Sequence, residues 1–158
     1  MINRSVAVLR FNFRGVGGSQ GQYDEGRGER DDARAAIQFF LTQPEVNASR
    51  IGIAGYSFGA AVAMSVGSQD PQVKAFASLS GTTAAINDPE LTSCTKPKLL
   101  VTGDMDSFIP VEEFKTLVDR LPPPTEARIF HGIDHFWRGG ELELGQVVAE
   151  FFSKQLAP

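Results

Sequence analysis

Ile51–Val66 reads IGIAGYSFGAAVAMSV: a short apolar run, then Gly55-Tyr56-Ser57-Phe58-Gly59, then a stretch of small and aliphatic residues. The first run suits a buried parallel strand, and the last a helix whose Ala and Gly residues let it lie close against a sheet. Between them a serine sits in G-x-S-x-G, the pattern of a sharp strand-to-helix turn that lifts a serine hydroxyl clear of the sheet. Such a turn brings the residues two places either side of the serine together, where a Cβ would clash, so the glycines point to a strained nucleophile at Ser57.

Working outward, the same alternation recurs. Val6–Phe13 places Ala7, Leu9, Phe11 and Phe13 on one apolar face and reads as a strand. Arg14–Gly28, RGVGGSQGQYDEGRG, is a glycine-rich loop, and Ala33, Ala36, Ile37, Phe40 and Leu41 then recur at helical spacing before Pro44. Beyond the central turn the pattern predicts strands at Val73–Leu79, Lys98–Thr102 and Thr125–Phe130. It also predicts a loop from Leu79 through Thr95, helices at Val111–Leu121 and Leu144–Leu156, and a stiff connector at Leu121-Pro122-Pro123-Pro124. About five strands alternating with helices imply an α/β domain with a mostly parallel sheet covered on both faces.

Composition sets the bounds on function. A chain of 158 residues with 42% hydrophobic content is read as one domain, residues 1–158. The formal net charge of −4, with basic residues scattered, gives no reason to expect nucleic acid as a partner. Cys94 is the single cysteine, which excludes an intrachain disulfide and favours a cytoplasmic location. The N-terminal apolar run breaks at Arg10, too short for a signal peptide core or a membrane span, so no membrane role is expected.

A serine hydroxyl needs a base to take its proton and a carboxylate to hold that base in the right tautomer. The chain has two histidines, His131 at a strand end and His135 in the loop that follows, within HGIDHFW. The loop position gives His135 the reach to meet a serine on another strand end, whereas His131 is expected to be fixed by its strand. In KLLVTGDMDSFIP, Asp104 and Asp106 lie just past a strand's C-terminal end, where the sites of open parallel sheets gather. Asp106 is assigned as the orienting acid, Asp104 as a turn cap and Asp134 as a solvated neighbour. The order Ser57, Asp106, His135 is the serine, acid, histidine order of α/β-hydrolases.

With those residues in place the chain resembles small bacterial α/β-hydrolases of the dienelactone-hydrolase-like or carboxylesterase-like kind. The likeness is carried by Phe11-Asn12-Phe13-Arg14-Gly15-Val16-Gly17-Gly18-Ser19, the Gly55–Gly59 turn, the Gly103, Asp106 and Pro110 set, and Gly132 with His135-Phe136. The first of these is the superfamily's strand-to-loop signature, with Asn12 where an aspartate is usual; Arg14, Gly15, Gly17 and Ser19 are expected to shape the loop. The resemblance implies a serine hydrolase for small carboxylic esters or related acyl compounds, acting through an acyl-enzyme. Ser57 is then nucleophile, His135 base and acid, Asp106 the orienting acid, and the Phe58 amide an oxyanion-hole donor. It implies no cofactor, no metal and a small-molecule acyl substrate. The resemblance also implies further strands, and a loop carrying a second oxyanion donor, before Phe11-Asn12-Phe13, so the fold is read as N-terminally shortened. The edge of Val6–Phe13 would then need cover, for which a homodimer is one route. A catalytically weak or inactive scaffold that binds a ligand or partner is the alternative. A magnesium phosphotransferase built on Asp104 and Asp106 is a third reading, which leaves His135 unexplained. Tyr56, Phe58, Phe108, Phe136 and Trp137 are candidates to line a pocket, or equally to fill the core.

Overall fold

A computed structural model describes residues 6–157. The sequence 51–56 is a short apolar run, too short for a helix, and among the described residues it forms strand β1 (Ile51–Tyr56) at one edge of a four-stranded sheet. Next to it lie β2 (Val73–Leu79), β3 (Lys98–Gly103) and β4 (Thr125–Phe130), in that spatial order and all parallel. Parallel neighbours require crossovers. These are α2 (Phe58–Gln69) after β1, the single turns α3 (Thr83–Ile86) and α4 (Pro89–Thr92) after β2, and α5 (Val111–Val118) after β3. Helix α1 (Arg27–Leu41) precedes β1, and α6 (Glu141–Gln155) follows β4.

The two-residue period of the strands sorts the core into two layers. Phe76 and Leu100 point to one face, where they pack with Ala33 and Ile37 of α1, Val62 and Val66 of α2, and Phe114 of α5. Their neighbours Ala75, Ala77, Leu99 and Val101 point to the other, against Val148, Phe151 and Phe152 of α6. The small side chains on that side make room for the α6 phenylalanines. At Gly52 the fit is closest, because a Cβ there would overlap the Phe152 ring. Helices therefore cover both faces, as the alternation predicts, and no helix among the described residues is long and apolar enough to cross a membrane.

The expected strand at Val6–Phe13 does not form. A strand is stable only with a partner for its backbone groups, and this segment runs beside β1 without pairing with it. Cavities of about 410 Å³ and 400 Å³ lie between the two, the first lined by Leu9, Phe11 and Phe13 on one side and by Ile53 and Tyr56 on the other. Val8 and Phe11 are accordingly exposed, and Phe13 alone reaches the main core. The sheet thus has four strands rather than five.

Three smaller differences have local causes. The expected loop through Thr95 contains α3 and α4, started by side-chain caps: Thr82 Oγ1 accepts from the Ala85 amide and Asp88 Oδ1 from the Glu90 amide, with Pro89 opening α4. Helix α5 stops at Val118, and Arg120 and Leu121 close as turns onto the amino-terminal side of the proline connector. Helix α6 starts earlier than its apolar residues, at Glu141, whose acidic first turn complements the helix dipole.

Phe76 is the largest fully buried side chain and touches the base of α2, since a Cβ on Gly67 would overlap its ring. Phe76→Ala is expected to cost about 3–5 kcal/mol of stability, read as a lowered urea midpoint; a loss below about 1 kcal/mol would contradict this packing.

Candidate active site

The C-terminal ends of β1, β2 and β3 and the loop after β4 converge on Ser57. A single residue separates the last residue of β1 from the first of α2, so Ser57 takes the whole reversal, with φ 53° and ψ −115°. That left-handed conformation is costly for a residue with a side chain, of order 1–3 kcal/mol. It is held by the Ser57 amide donating to the Leu79 carbonyl at 2.8 Å and by close contact across the turn. The two flanking glycines have different roles: a Cβ on Gly55 would overlap the Gly59 carbonyl, whereas one on Gly59 would meet only the Phe13 ring at 3.9 Å. Gly55 is therefore sterically required, and Gly59 supplies the carbonyl that needs the space.

The Ser57 side chain does not cap its own helix. Its Oγ lies 3.0 Å from Nε2 of His135, whose Nδ1 lies 2.8 Å from Oδ2 of Asp106. An ionised carboxylate only accepts, so Nδ1 carries the proton and Nε2 is left free to take the one on Ser57. Asp106 is 4% exposed and its other oxygen accepts from the Phe108 amide at 3.0 Å, which fixes the plane of the carboxylate. The structure thus brings together the three residues singled out from the sequence. Phe58, the residue after Ser57, begins α2, and the amides of a first helical turn have no acceptor within the helix. They face the same side as the positive end of the helix dipole.

The remaining candidates separate cleanly from these three. Asp104 and His131 make a second pair, Nδ1 to Oδ2 at 2.6 Å, and the other Asp104 oxygen accepts from the Gly132 amide at 2.7 Å. The His131 side chain is 99% exposed and is held by Asp104 rather than by β4, which ends one residue earlier. Asp104 is the turn anchor, as expected. The two aspartates are directed to different histidines and do not share a site, and no cluster of three or more His, Cys, Asp or Glu suited to a metal occurs among the described residues. Asp134 is engaged rather than free, its Oδ1 accepting from the Phe136 amide at 3.0 Å.

Of the aromatic candidates, Tyr56, Phe58, Phe108 and Phe136 are exposed beside the site, and Trp137 is core. The Phe108 and Phe136 rings lie 4.7 and 5.7 Å from the His135 ring, and Phe58 meets Phe13 edge-to-face and Tyr23 at a tilt. The glycine-rich loop that carries Tyr23 is braced as its residues suggest. Arg14 makes a forked ion pair with Asp32, Ser19 Oγ donates to the Asn12 carbonyl, and Gly15 and Gly17 take positive φ. Two contacts had no signal in the sequence: Trp137 Nε1 donates to Ser80 Oγ at 3.0 Å, and the Tyr56 hydroxyl donates to the His135 carbonyl at 2.9 Å. Both join residues more than fifty positions apart, beyond the reach of any local pattern.

A parallel sheet with helices on both faces, and a serine on a strained strand-to-helix turn at the C-terminal end of one of its strands, are the marks of the α/β-hydrolase class. Within that class the chain belongs to the dienelactone hydrolase family, whose model matches residues 21–138. It is 35% identical over 159 residues to an uncharacterized protein of Rickettsia prowazekii, an alignment covering 96% of this chain and 66% of that one. An α/β serine hydrolase homologue from Coxiella burnetii superposes with a TM-score of 0.75 at 32% identity, over 89% of this chain and 66% of the other. A putative α/β hydrolase from Agrobacterium tumefaciens gives 0.83 at 30% identity, over 99% and 75%. The chain thus spans slightly less than two thirds of the length of the Rickettsia and Coxiella proteins.

Two carboxyls near the site are held below their usual range, Asp104 by the Gly132 amide and then by His131, and Asp32 by its hydrogen bonds with Arg14. For a depressed carboxyl, stability is fully present above the unfolded-state value of about 3.9 and is lost as pH falls through the lower folded value. Thermal midpoints are therefore expected to fall on acidification below about pH 4. Asp104→Asn, which keeps an acceptor for Gly132 but cannot titrate, is expected to show a shallower decline in scanning fluorimetry. An identical acid slope in both proteins would contradict a stabilising Asp104 carboxylate.

Proposed function

We propose that the chain is a serine hydrolase of small carboxylic esters or related acyl compounds. The observation that carries this reading is the unbroken relay from Ser57 Oγ through His135 to a buried Asp106, anchored on a serine in a left-handed conformation. Membership of the dienelactone hydrolase family supports the hydrolytic class.

In this mechanism His135 Nε2 takes the proton as Ser57 Oγ attacks the acyl carbon, and Asp106 stabilises the resulting imidazolium without accepting its proton. The oxygen of the tetrahedral intermediate gains negative charge and is met by the Phe58 amide at the start of α2. Collapse breaks the bond to the leaving group, which departs with the proton from His135, and leaves an acyl ester on Ser57. His135 then deprotonates a water, which attacks that ester and returns free Ser57 and a carboxylic acid. The groups beside Ser57 are aromatic rings rather than a deep enclosed cavity, which supports small substrates reaching the serine from an open side.

Ser57→Ala is expected to abolish turnover of p-nitrophenyl acetate and labelling by a fluorophosphonate probe, with circular dichroism unchanged. Asp106→Asn should lower kcat on the order of a thousand- to ten-thousand-fold, because His135 then settles in the wrong tautomer. Undiminished turnover in Ser57→Ala would sink the assignment, and a wild-type protein inert to both ester and probe would favour a binding scaffold.

A further inference from the structure

Tyr56 ends β1 and immediately precedes the nucleophile. Its hydroxyl donates to the main-chain carbonyl of His135 at 2.9 Å, and its ring lies 5.5 Å from the imidazole at an interplanar angle of 38°. Partial desolvation, with the nearby carboxylates of Asp106 and Asp134 adding to it, pushes its phenol above the ordinary tyrosine value.

The loop from His131 to Trp137 is tied to the sheet at several points. Asp104 holds Gly132, the Met105 amide donates to the Ile133 carbonyl at 3.0 Å, Asp106 holds the His135 ring, and Trp137 donates to Ser80. These ties lead back to β2 and β3, not to the strand that carries Ser57. The Ser57 amide is itself held on the Leu79 carbonyl at the end of β2, so these ties relate base and nucleophile only through β2 at one remove and leave a gap between the end of β1 and the base loop. The Tyr56 hydroxyl closes that gap: one strand end fixes the backbone of the nucleophile by its turn and the backbone of the base by a hydrogen bond.

We propose that Tyr56 is a positioning residue, which sets the 3.0 Å separation of Ser57 Oγ and His135 Nε2 by anchoring the base loop to the elbow's own strand. This rests on the serine-hydrolase reading above. Proton transfer in the transition state is more sensitive to that separation than substrate binding is, so the consequence falls on kcat and not on KM.

Tyr56→Phe removes the hydroxyl and keeps the ring. In the full chain, kcat for p-nitrophenyl acetate is expected to fall about tenfold, the scale of one lost hydrogen bond, with KM changed by less than about twofold. Labelling by the fluorophosphonate probe should slow in proportion, and amide hydrogen exchange across residues 131–137 should quicken while the thermal midpoint holds. An unchanged kcat would overturn the proposal. So would a reduced kcat with unchanged exchange, which would make the hydroxyl a direct contact to substrate. If wild-type protein is silent to ester and probe, the hydrolase reading fails on its own, and the exchange comparison still decides the tether: quickened exchange in Tyr56→Phe upholds it, and unchanged exchange overturns it.

Discussion

Between the last residue of β1 and the first of α2 there is one residue, and that residue must turn the chain from extended to helical. A reversal in so short a span is possible only with φ positive, which a serine resists, and only if the chain before and after the turn can touch. Gly55 against the Gly59 carbonyl meets the second condition, and the Leu79 carbonyl gripping the Ser57 amide meets the first. The rest of the site follows from this constraint. The turn points Oγ away from the sheet, starts a helix whose amides lie beside it, and leaves Oγ without a local partner to satisfy.

Strain is not confined to that turn. Of the four non-glycine residues with positive φ among those described, Glu25 lies in the glycine-rich loop, Ser57 is at the site, and Ser80 and the core residue Trp137 follow strand ends beside it, hydrogen-bonded to each other. Ser80 leaves β2 with its amide on the Val101 carbonyl of β3, as Ser57 leaves β1 with its amide on the Leu79 carbonyl of β2, so each irregular end stays tied to the neighbouring strand. Such conformations persist only where the surroundings over-determine them. Here the surroundings are the buried central strands, β3 being buried throughout its length. The rigid interior of the sheet holds the irregular ends that carry Ser57 and Ser80.

Much of this was legible in the sequence, and the exceptions are instructive. The boundaries of β1, β2 and β4 coincide with the predicted runs because turn residues bound each of them, although only β2 is largely buried and the edge strands β1 and β4 are partly exposed. Ser57, Asp106 and His135 could be found because each follows a recognisable strand end, and topology brings strand ends together. Val6–Phe13 has the alternation of a strand and yet is not one, since alternation reports a face that can be buried and says nothing of a partner for the backbone. The short helices α3 and α4 were hidden because caps at Thr82 and Asp88, not periodicity, create them. Trp137 was ambiguous for a different reason: its neighbours Phe136 and His135 face the site while it faces α6, and a loop has no period from which to read that difference.

The two Asp–His pairs show why the site needed three-dimensional information to be separated from its surroundings. Asp104 with His131 and Asp106 with His135 come from the same pair of loops, and both put Nδ1 within hydrogen-bond distance of a carboxylate. What distinguishes them is the other nitrogen. On His131, whose side chain is almost wholly exposed, it projects into solvent. On His135 it meets Ser57 with the carboxylate behind it shielded, so the attraction that would hold an imidazolium is not screened by solvent. The outer pair tightens the turn at Gly132, and that turn begins the loop on which the inner pair depends. The same pairing therefore braces a turn at the surface and meets a strained serine a few residues further in, with burial separating the two.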